Sequence, residues 1–397
     1  MIYIGFLLHI YQPPTQFDNV LEKIVNECYR PLFELVNSRD DAHFTFNINW
    51  SLTELLLHKG YREVIELVKK ALDGKKIEIT GTAAYHPILP LIPQLERIRQ
   101  ITLNFEKNRE VFGENYTPRG IFPPEMAFGH EIIETIKELG YHWTITEDIP
   151  FVCLHNTVPY DYVVTVDDLP VFLRSSLWSN KISLEKDSEG KKFDGKKIAE
   201  WLIDDMEKWF KGKDGYIILA MDGETFGHHI KGYIEDFIVP FLDTLSKNSS
   251  RAKLVHISDI LDMFPREEKQ VPPGSWSTGA DDFWEGNFFP LWKNKYNQAH
   301  SLLWELTDIA LSAVNDLQEE LDRSLNSCTF WWAAISPKEA SPITFSGMDM
   351  IIDVIGKVKP DALPRARELR KELEKCFALK VHEGIKPEDK KKMDMQW

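Results

Sequence analysis

The chain has 397 residues, 43% of them hydrophobic and 27% charged, the balance of a soluble globular protein with enough apolar material for a sizeable core. A formal net charge of −15 argues against nucleic acid and against anionic membrane surfaces as partners, and leaves neutral ligands such as sugars unaffected. Cys28, Cys153, Cys328 and Cys376 are far apart and form no CxxC pair, so a zinc site built on cysteine spacing is not expected and reduced thiols in a cytoplasmic protein are.

In chain order, Ile2–Leu8 is a short apolar run with no basic segment before it and no small-residue cleavage pattern after it, which reads as a first strand and not a leader. No apolar run approaches a membrane span. Further strand candidates follow at His43–Ile48, Lys76–Thr80, Gly120–Phe122, Trp143–Thr146, Tyr216–Met221 and Leu254–Ile257. Helical periodicity fills the gaps, most clearly over Val20–Ser38, Arg62–Leu72, Leu95–Phe112, His130–Leu139, Lys197–Lys211 and Ile234–Ser246. Strand and helix in alternation predict a parallel sheet with crossover helices, and seven repeats predict a barrel-like closure. No GxGxxG or GxxxxGK[ST] segment supports a nucleotide-binding open sheet.

Asp161–Asp194 breaks the rhythm. It holds Tyr162–Val166 and Val171–Arg174 and then a polar stretch, and is expected to leave the barrel as an excursion with a surface loop. After about residue 265 a Pro/Gly/Trp-rich connection leads into helix-only sequence, with periodicity over Trp292–Asp322 and Ala362–Leu379 and a charged end, KPEDKKKMDMQW, expected to fray. The expected division is a catalytic barrel over 1–265, a connection over 266–291 contributing to the cleft, and a C-terminal helical region over 292–397.

Active sites of parallel barrels lie at the C-terminal ends of the strands. Polar residues at those ends are His9 and Gln12, Asn49, Glu78 with His86, Glu125, Glu147 with Asp148, and Asp222 followed by Glu224, His228 and His229. Each alone has a structural explanation as a helix cap or a partner of backbone carbonyls. Their recurrence at successive strand ends points to one site. Pro123 and Pro124 stiffen the mount of Glu125. The apolar strand Tyr216–Met221 leads into Asp222 and should raise its pKa by burial. Two carboxyls from different strand ends suit glycoside chemistry, one attacking the anomeric carbon and the other passing a proton to and from the leaving and incoming oxygens. Trp276, Trp284 and Trp292 fall in a loop-like segment where such rings can stack on sugars; loss of Trp276 or Trp284 should then weaken substrate binding. No HxxxH or HExxH spacing suggests a metal.

These residues resemble the five short motifs of the family 57 glycoside hydrolases. They are His9-x-x-Gln12-Pro13, the stretch from Glu78 to His86-Pro87, Gly120–Phe128 containing Glu125, the MDGETFG segment containing Asp222, and the tryptophan-rich segment around Trp276 and Trp284. The resemblance covers about residues 1–300, and Tyr11 stands where the family usually has a histidine. It implies an α/β fold, an incomplete (β/α)7 barrel with a C-terminal helical bundle. It also implies a retaining mechanism with Glu125 as nucleophile and Asp222 as acid/base, no cofactor or catalytic metal, and α-glucans, most often α-1,4 linked, as substrate. His9, Gln12, Asn49, Glu78, His86, Glu224, His229, Trp276 and Trp284 are the expected substrate contacts. Two alternatives stay open: a glucan-binding protein without catalysis on the same fold, and a metal-dependent deacetylase or mannosidase-like enzyme recruiting His9, His86, His228, His229 and Asp222. Whether a sugar hydroxyl or water accepts the glycosyl group, and the oligomeric state, are open from sequence.

Overall fold

The computed structural model describes residues 1–312, 318–335 and 341–383. The charged stretch 386–397 lies outside them. The described residues contain one ten-stranded sheet: β1 (Ile2–Ile10), β2 (Phe44–Ile48), β3 (Ile77–Thr80), β4 (Gly120–Ile121), β5 (Trp143–Glu147), β6 (Val163–Val166), β7 (Leu169–Arg174), β8 (Gly215–Asp222), β9 (Ala252–Val255) and β10 (Arg266–Glu268).

Seven of these strands close a parallel ring in the order β8, β1, β2, β3, β4, β5, β7. Two seams are thin. Between β3 and β4 there is one bridge, Gly81 to Ile121, flanked by Gly81 N–H to the Gly120 carbonyl at 2.8 Å and Phe122 N–H to the Gly81 carbonyl at 2.9 Å. Between β7 and β8 the register is Arg174 to Ile218, and Ser175 N–H donates to the Ile218 carbonyl at 2.8 Å.

The ring corrects the sequence reading at two points. The segment Asp161–Asp194 is not only an excursion: its second strand, β7, is a stave of the barrel, with β6 folded antiparallel on it through a turn in which Asp167 and Asp168 adopt positive φ. The expected seventh stave near Leu254–Ile257 lies outside the ring as β9. It pairs with the lower half of β1, Ile2–Gly5, below the level where β2 pairs with Leu7–Ile10. Ile257 itself starts a helix, Ile257–Met263. Its Ile257, Ile260 and Leu261 join Leu7, Phe122, Trp143, Ile145, Phe172, Ile218 and Ala220 in the barrel interior. Gly5 makes that insertion possible, because a Cβ there would lie 2.8 Å from the side chains of both Ile218 and Ile257.

Helices flank the ring where the periodicity places them, with several differences. Val20–Ser38 is helical throughout but passes through one π turn, Val25–Tyr29, between Asp18–Ile24 and Arg30–Ser38. Trp50–His58 is an additional helix, capped by the Asn49 side chain, which accepts from Leu52 N–H. The long periodicity over Trp292–Asp322 resolves into Gln298–Leu311 and Gln318–Ser324, with Trp292 in the preceding loop, fully buried. Cys328–Ile335, Ser341–Val358 and Leu363–Glu383 complete the helical part. Leu303, Leu306, Ile351, Ile355, Leu369 and Leu373 form its interior, continuous with Ala83, Ile88, Ala127 and Phe128, which follow β3 and β4. The helices therefore pack on the strand ends where the site residues sit.

Candidate active site

Parallel register sets the level of each rim residue. His9 is opposite Asn47 of β2 and Asp222 of β8, and Asn47 is opposite Thr80 of β3. These four form one layer at the mouth. Glu78 is opposite Thr45, two residues lower, or about 6.6 Å down the strand. Its carboxylate accepts from Thr45 Oγ1 at 2.7 Å and from Ser258 N–H at 3.1 Å. Glu78 thus lies beneath the layer at the mouth, bonded to β2 and to the Ile257–Met263 helix.

Asn47 fixes the histidine tautomer. Its amide Nδ2 donates to Thr80 Oγ1 at 3.0 Å, so its Oδ1 accepts from His9 Nδ1 at 2.7 Å. Burial pushes His9 down to about 4, which keeps it neutral. The His9 ring lies nearly parallel to Phe122 and to His86, each with centroids 4.9 Å away, and Tyr11 stacks on His86 at 4.0 Å. The residue that departs from the family pattern therefore adds an aromatic layer over His86.

Glu125 follows β4 on strained backbone. Both it and Met126 have positive φ, 61° and 50°, a conformation that costs a non-glycine residue about 1–3 kcal/mol and persists where the surroundings enforce it. The enforcing contacts come from elsewhere in the chain. Trp276 N–H donates to the Glu125 carbonyl at 3.2 Å and its indole Nε1 to Glu125 Oε2 at 2.9 Å. Ser327 donates its hydroxyl to Glu125 Oε1 at 2.7 Å. Asp222 ends β8 with its side chain half-buried, and among the described residues no hydrogen-bond donor meets its carboxylate.

Burial raises both carboxyls, Glu125 to about 8, with the charge of Asp222 adding to the rise, and Asp222 to about 6, opposed by the Arg174 guanidinium. The hydrogen bonds place the shared proton on Asp222: a carboxylate receiving one donor on each oxygen is the better anion, and Glu125 has that arrangement while Asp222 does not. The pair shares a proton into the neutral range.

Glu224 lies two residues past Asp222. Its Oε1 accepts from Tyr29 in a short bond, from Gln12 Nε2 at 3.1 Å and from Tyr11 N–H at 3.3 Å. Tyr29 belongs to the π turn, as does Cys28, whose thiol donates to the Gly223 carbonyl at 3.2 Å; such bulges often mark functional positions. Burial and the charge of Asp222 still raise Glu224 to about 8. Gln12 and Glu224 thus buttress the loop that carries Asp222.

The remaining expected contacts divide. Buried His86, with φ of 61°, lies beside Glu125, and its Nε2 is buried with no partner among the described residues. Asn49 is fully buried; its oxygen caps a helix and its Nδ2 has no partner among the described residues. His229 is exposed, and His228 points away to Glu27 at 2.8 Å. Trp284 is 69% exposed on the short helix Ala280–Trp284 with Phe283 against its edge; no hydrogen bond ties it to Glu125 or Asp222. Among the described residues no group of three or more His, Cys, Asp or Glu side chains is arranged to hold a metal ion. No helix among them is long and apolar enough to cross a membrane.

Two residues at the site have no counterpart in the sequence reading. Arg174 ends β7 opposite Glu147 of β5 and forms a buried ion pair with it at 2.6 Å. It also donates to the Ala220 carbonyl at 2.7 Å and to Asn180 Oδ1 at 2.8 Å. A charged residue closing an apolar strand was a signal available in LPVFLR. Ser327 reaches Glu125 across 202 positions, and no local pattern announces it.

Trp276 touches the carboxylate itself, so its effect belongs on turnover more than on binding. Trp276→Phe keeps a ring and removes the N–H. It is expected to lower kcat about tenfold, with a smaller change in KM, by steady-state kinetics on a maltooligosaccharide. A change confined to KM would restore the stacking role first expected of it.

A family comparison agrees with this geometry. The model of Glycosyl hydrolase family 57 matches residues 8–272. Alpha-amylase 1 of Dictyoglomus thermophilum is 30% identical over 151 residues, 38% of this chain and 21% of that protein. The chain spans about a fifth of the length of the curated relatives it matches. Among solved structures, 4-alpha-glucanotransferase from Thermococcus litoralis superposes with a TM-score of 0.71 at 18% identity over 90% of this chain and 60% of that one. A GH57-type branching enzyme from Pyrococcus horikoshii superposes with 0.67 at 16% identity over 95% and 94%. At these identities the superpositions speak for the fold, and the match over 8–272 for the lineage. This chain belongs to glycosyl hydrolase family 57.

Proposed function

We propose that the protein is a retaining glycoside hydrolase or transglycosylase acting on α-glucans, α-1,4 linkages foremost, with Glu125 as nucleophile and Asp222 as general acid/base. The observation that carries this is the unequal pair of carboxyls at the barrel mouth: Glu125 held by a donor on each oxygen, Asp222 within electrostatic reach and free of donors. Asp222 gives its proton to the glycosidic oxygen as Glu125 attacks the anomeric carbon and the old C–O bond breaks. Asp222, now ionised, takes a proton from water or a sugar hydroxyl as that oxygen displaces Glu125. The relatives named as an alpha-amylase and a 4-alpha-glucanotransferase support the substrate class. His9 and His86, both neutral and buried, offer ring nitrogens to sugar hydroxyls, and the unpartnered His86 Nε2 is a ready acceptor. Residues 1–265 serve as the barrel, 266–291 as the connection that brings Trp276 to Glu125, and the described residues between 292 and 383 as the helical region over the mouth.

The test is product analysis with maltoheptaose. Shorter products alone mean hydrolysis, and longer ones mean transfer. No product, together with measurable binding of the oligosaccharide, would replace this reading with that of a glucan-binding protein.

A further inference from the structure

Resting on the glycosidase reading above, we propose that Ser327, supplied by the C-terminal helices, is a positioning residue for the nucleophile: its hydroxyl, oriented by His86, holds the Glu125 carboxylate ionised and in one orientation.

The geometry defines a relay with a direction. Ser327 is held by two bonds to His86. Its N–H donates to the His86 carbonyl at 3.0 Å, and its Oγ lies 2.9 Å from His86 Nδ1. Both residues are fully buried. The hydroxyl has one proton, and the bond of 2.7 Å to Glu125 Oε1 uses it. Ser327 Oγ must then accept from His86, so the neutral imidazole carries its proton on Nδ1 and leaves Nε2 as the acceptor. Burial keeps His86 neutral by pushing its pKa well below the ordinary value.

Position in the chain argues that the hydroxyl is not there as a cap. Ser327 precedes the helix Cys328–Ile335, where a serine ordinarily accepts from the first free N–H groups. Asn326 does that instead, accepting from Thr329 N–H at 3.3 Å. The serine is released to face Glu125. With Trp276 on the other oxygen, the carboxylate is gripped from two segments that both lie C-terminal to the barrel strands. The barrel supplies the mount, and the helices supply half of the grip. A misplacement of about 1 Å at a nucleophile can cost about 10²-fold, which is the scale on which such a grip matters.

The experiment compares full-length wild type, Ser327→Ala and Ser327→Cys, the last isosteric with a weaker donor. We expect kcat to fall about 10–100-fold in Ser327→Ala, less in Ser327→Cys, with KM changed less than about threefold and the melting temperature nearly unchanged. Because the lost bond favours the ionised form, the acid limb of kcat/KM should move to higher pH. A second readout needs no substrate: proteins carrying carbon-13 at the glutamate carboxyl are titrated by NMR, with the Glu125 signal identified by its loss in Glu125→Gln. Its midpoint should rise in Ser327→Ala. If wild type acts on no glucan, the substrate reading fails and the titration still decides the role of Ser327. An unmoved midpoint overturns the proposal. So does a fall in kcat that tracks a fall in melting temperature with the acid limb in place, because that is what a merely structural serine would give.

Discussion

Replacing Glu125 by glycine is expected to lower turnover of a 4-nitrophenyl maltooligoside by a factor on the order of 10⁴ or more, and azide should restore reaction with the configuration of the product inverted. The substitution suits the site. Residue 125 has φ of 61°, which glycine adopts without strain, and the lost side chain leaves room for a small anion. Azide then attacks the anomeric carbon from the face that Glu125 occupied, the C–O bond to nitrophenol breaks with Asp222 as acid, and a β-glycosyl azide forms from an α-substrate. Asp222→Ala should behave differently. Loss of a general acid costs about 10²–10⁴-fold, least for the good nitrophenol leaving group. Azide then attacks the glycosyl-enzyme and gives the retained α-azide. The two anomers, separated by chromatography, assign the roles; the opposite pairing would reverse them, and an inverted product from both would refute a covalent intermediate on Glu125. Folding is checked with Glu125→Gln. Burial raises the Glu125–Asp222 pair above the ordinary carboxylate range, to about 8 and about 6, so the pair's favourable contribution is complete below about pH 4.5 and is lost towards pH 8 as first Glu125 and then Asp222 ionises in the buried site. A neutral glutamine escapes that loss. The variant should therefore melt progressively higher than wild type between those pH values, and equal melting curves at pH 5 and pH 8 would contradict the buried carboxyl.

Much of this site was legible because parallel strands announce their ends. IILAMD states both an apolar stave and the carboxyl that closes it, and PPE states a rigid mount. The level along the strand was not legible. Glu78 and Asn47 are both polar strand residues, and only the register, Thr45 opposite Glu78 and Asn47 opposite Thr80, shows that one lies below the mouth and the other at it. β7 was hidden by its company: a tight antiparallel turn at Asp167–Asp168 makes it look like half of a surface hairpin, although a continuous buried run such as LPVFLR is typical of a stave covered on both faces. The grip on Glu125 could not be read at all. Trp276 is 151 positions from it and Ser327 is 202, and such a pairing exists only once the helices are packed over the mouth. The same packing gives Tyr11 its place, stacked on the His86 that orients Ser327. One consequence for reading related chains is that strand ends locate the two carboxyls and the Arg174 that lowers Asp222, whereas the two donors on Glu125 come from segments with no periodic signal.

Arg174 should be the most costly single loss outside the pair Glu125 and Asp222. It is 4% exposed and its partner Glu147 1%, and the ion pair of 2.6 Å closes the seam where β5, β7 and β8 meet. Burial pushes the Glu147 carboxyl up, and the guanidinium opposes that rise. Arg174→Met keeps most of the volume but removes the charge, and with it the donors to Glu147, Asn180 and the Ala220 carbonyl. Breaking one side of a buried pair costs about 3–5 kcal/mol, to be read as a lower midpoint in urea unfolding at unchanged slope. The double change Arg174→Met with Glu147→Leu should recover part of that loss, since an apolar pair can stand in for a buried ionic one. Catalysis separates the two roles. Arg174 lowers the pKa of Asp222, so both variants should shift the basic limb of kcat/KM, which reports the acid in the free enzyme, to higher pH. A midpoint within about 1 kcal/mol of wild type would mean the seam holds without the pair. A basic limb left in place while stability falls would mean that the guanidinium only builds the wall, and that Asp222 owes its acidity to the mouth of the barrel alone.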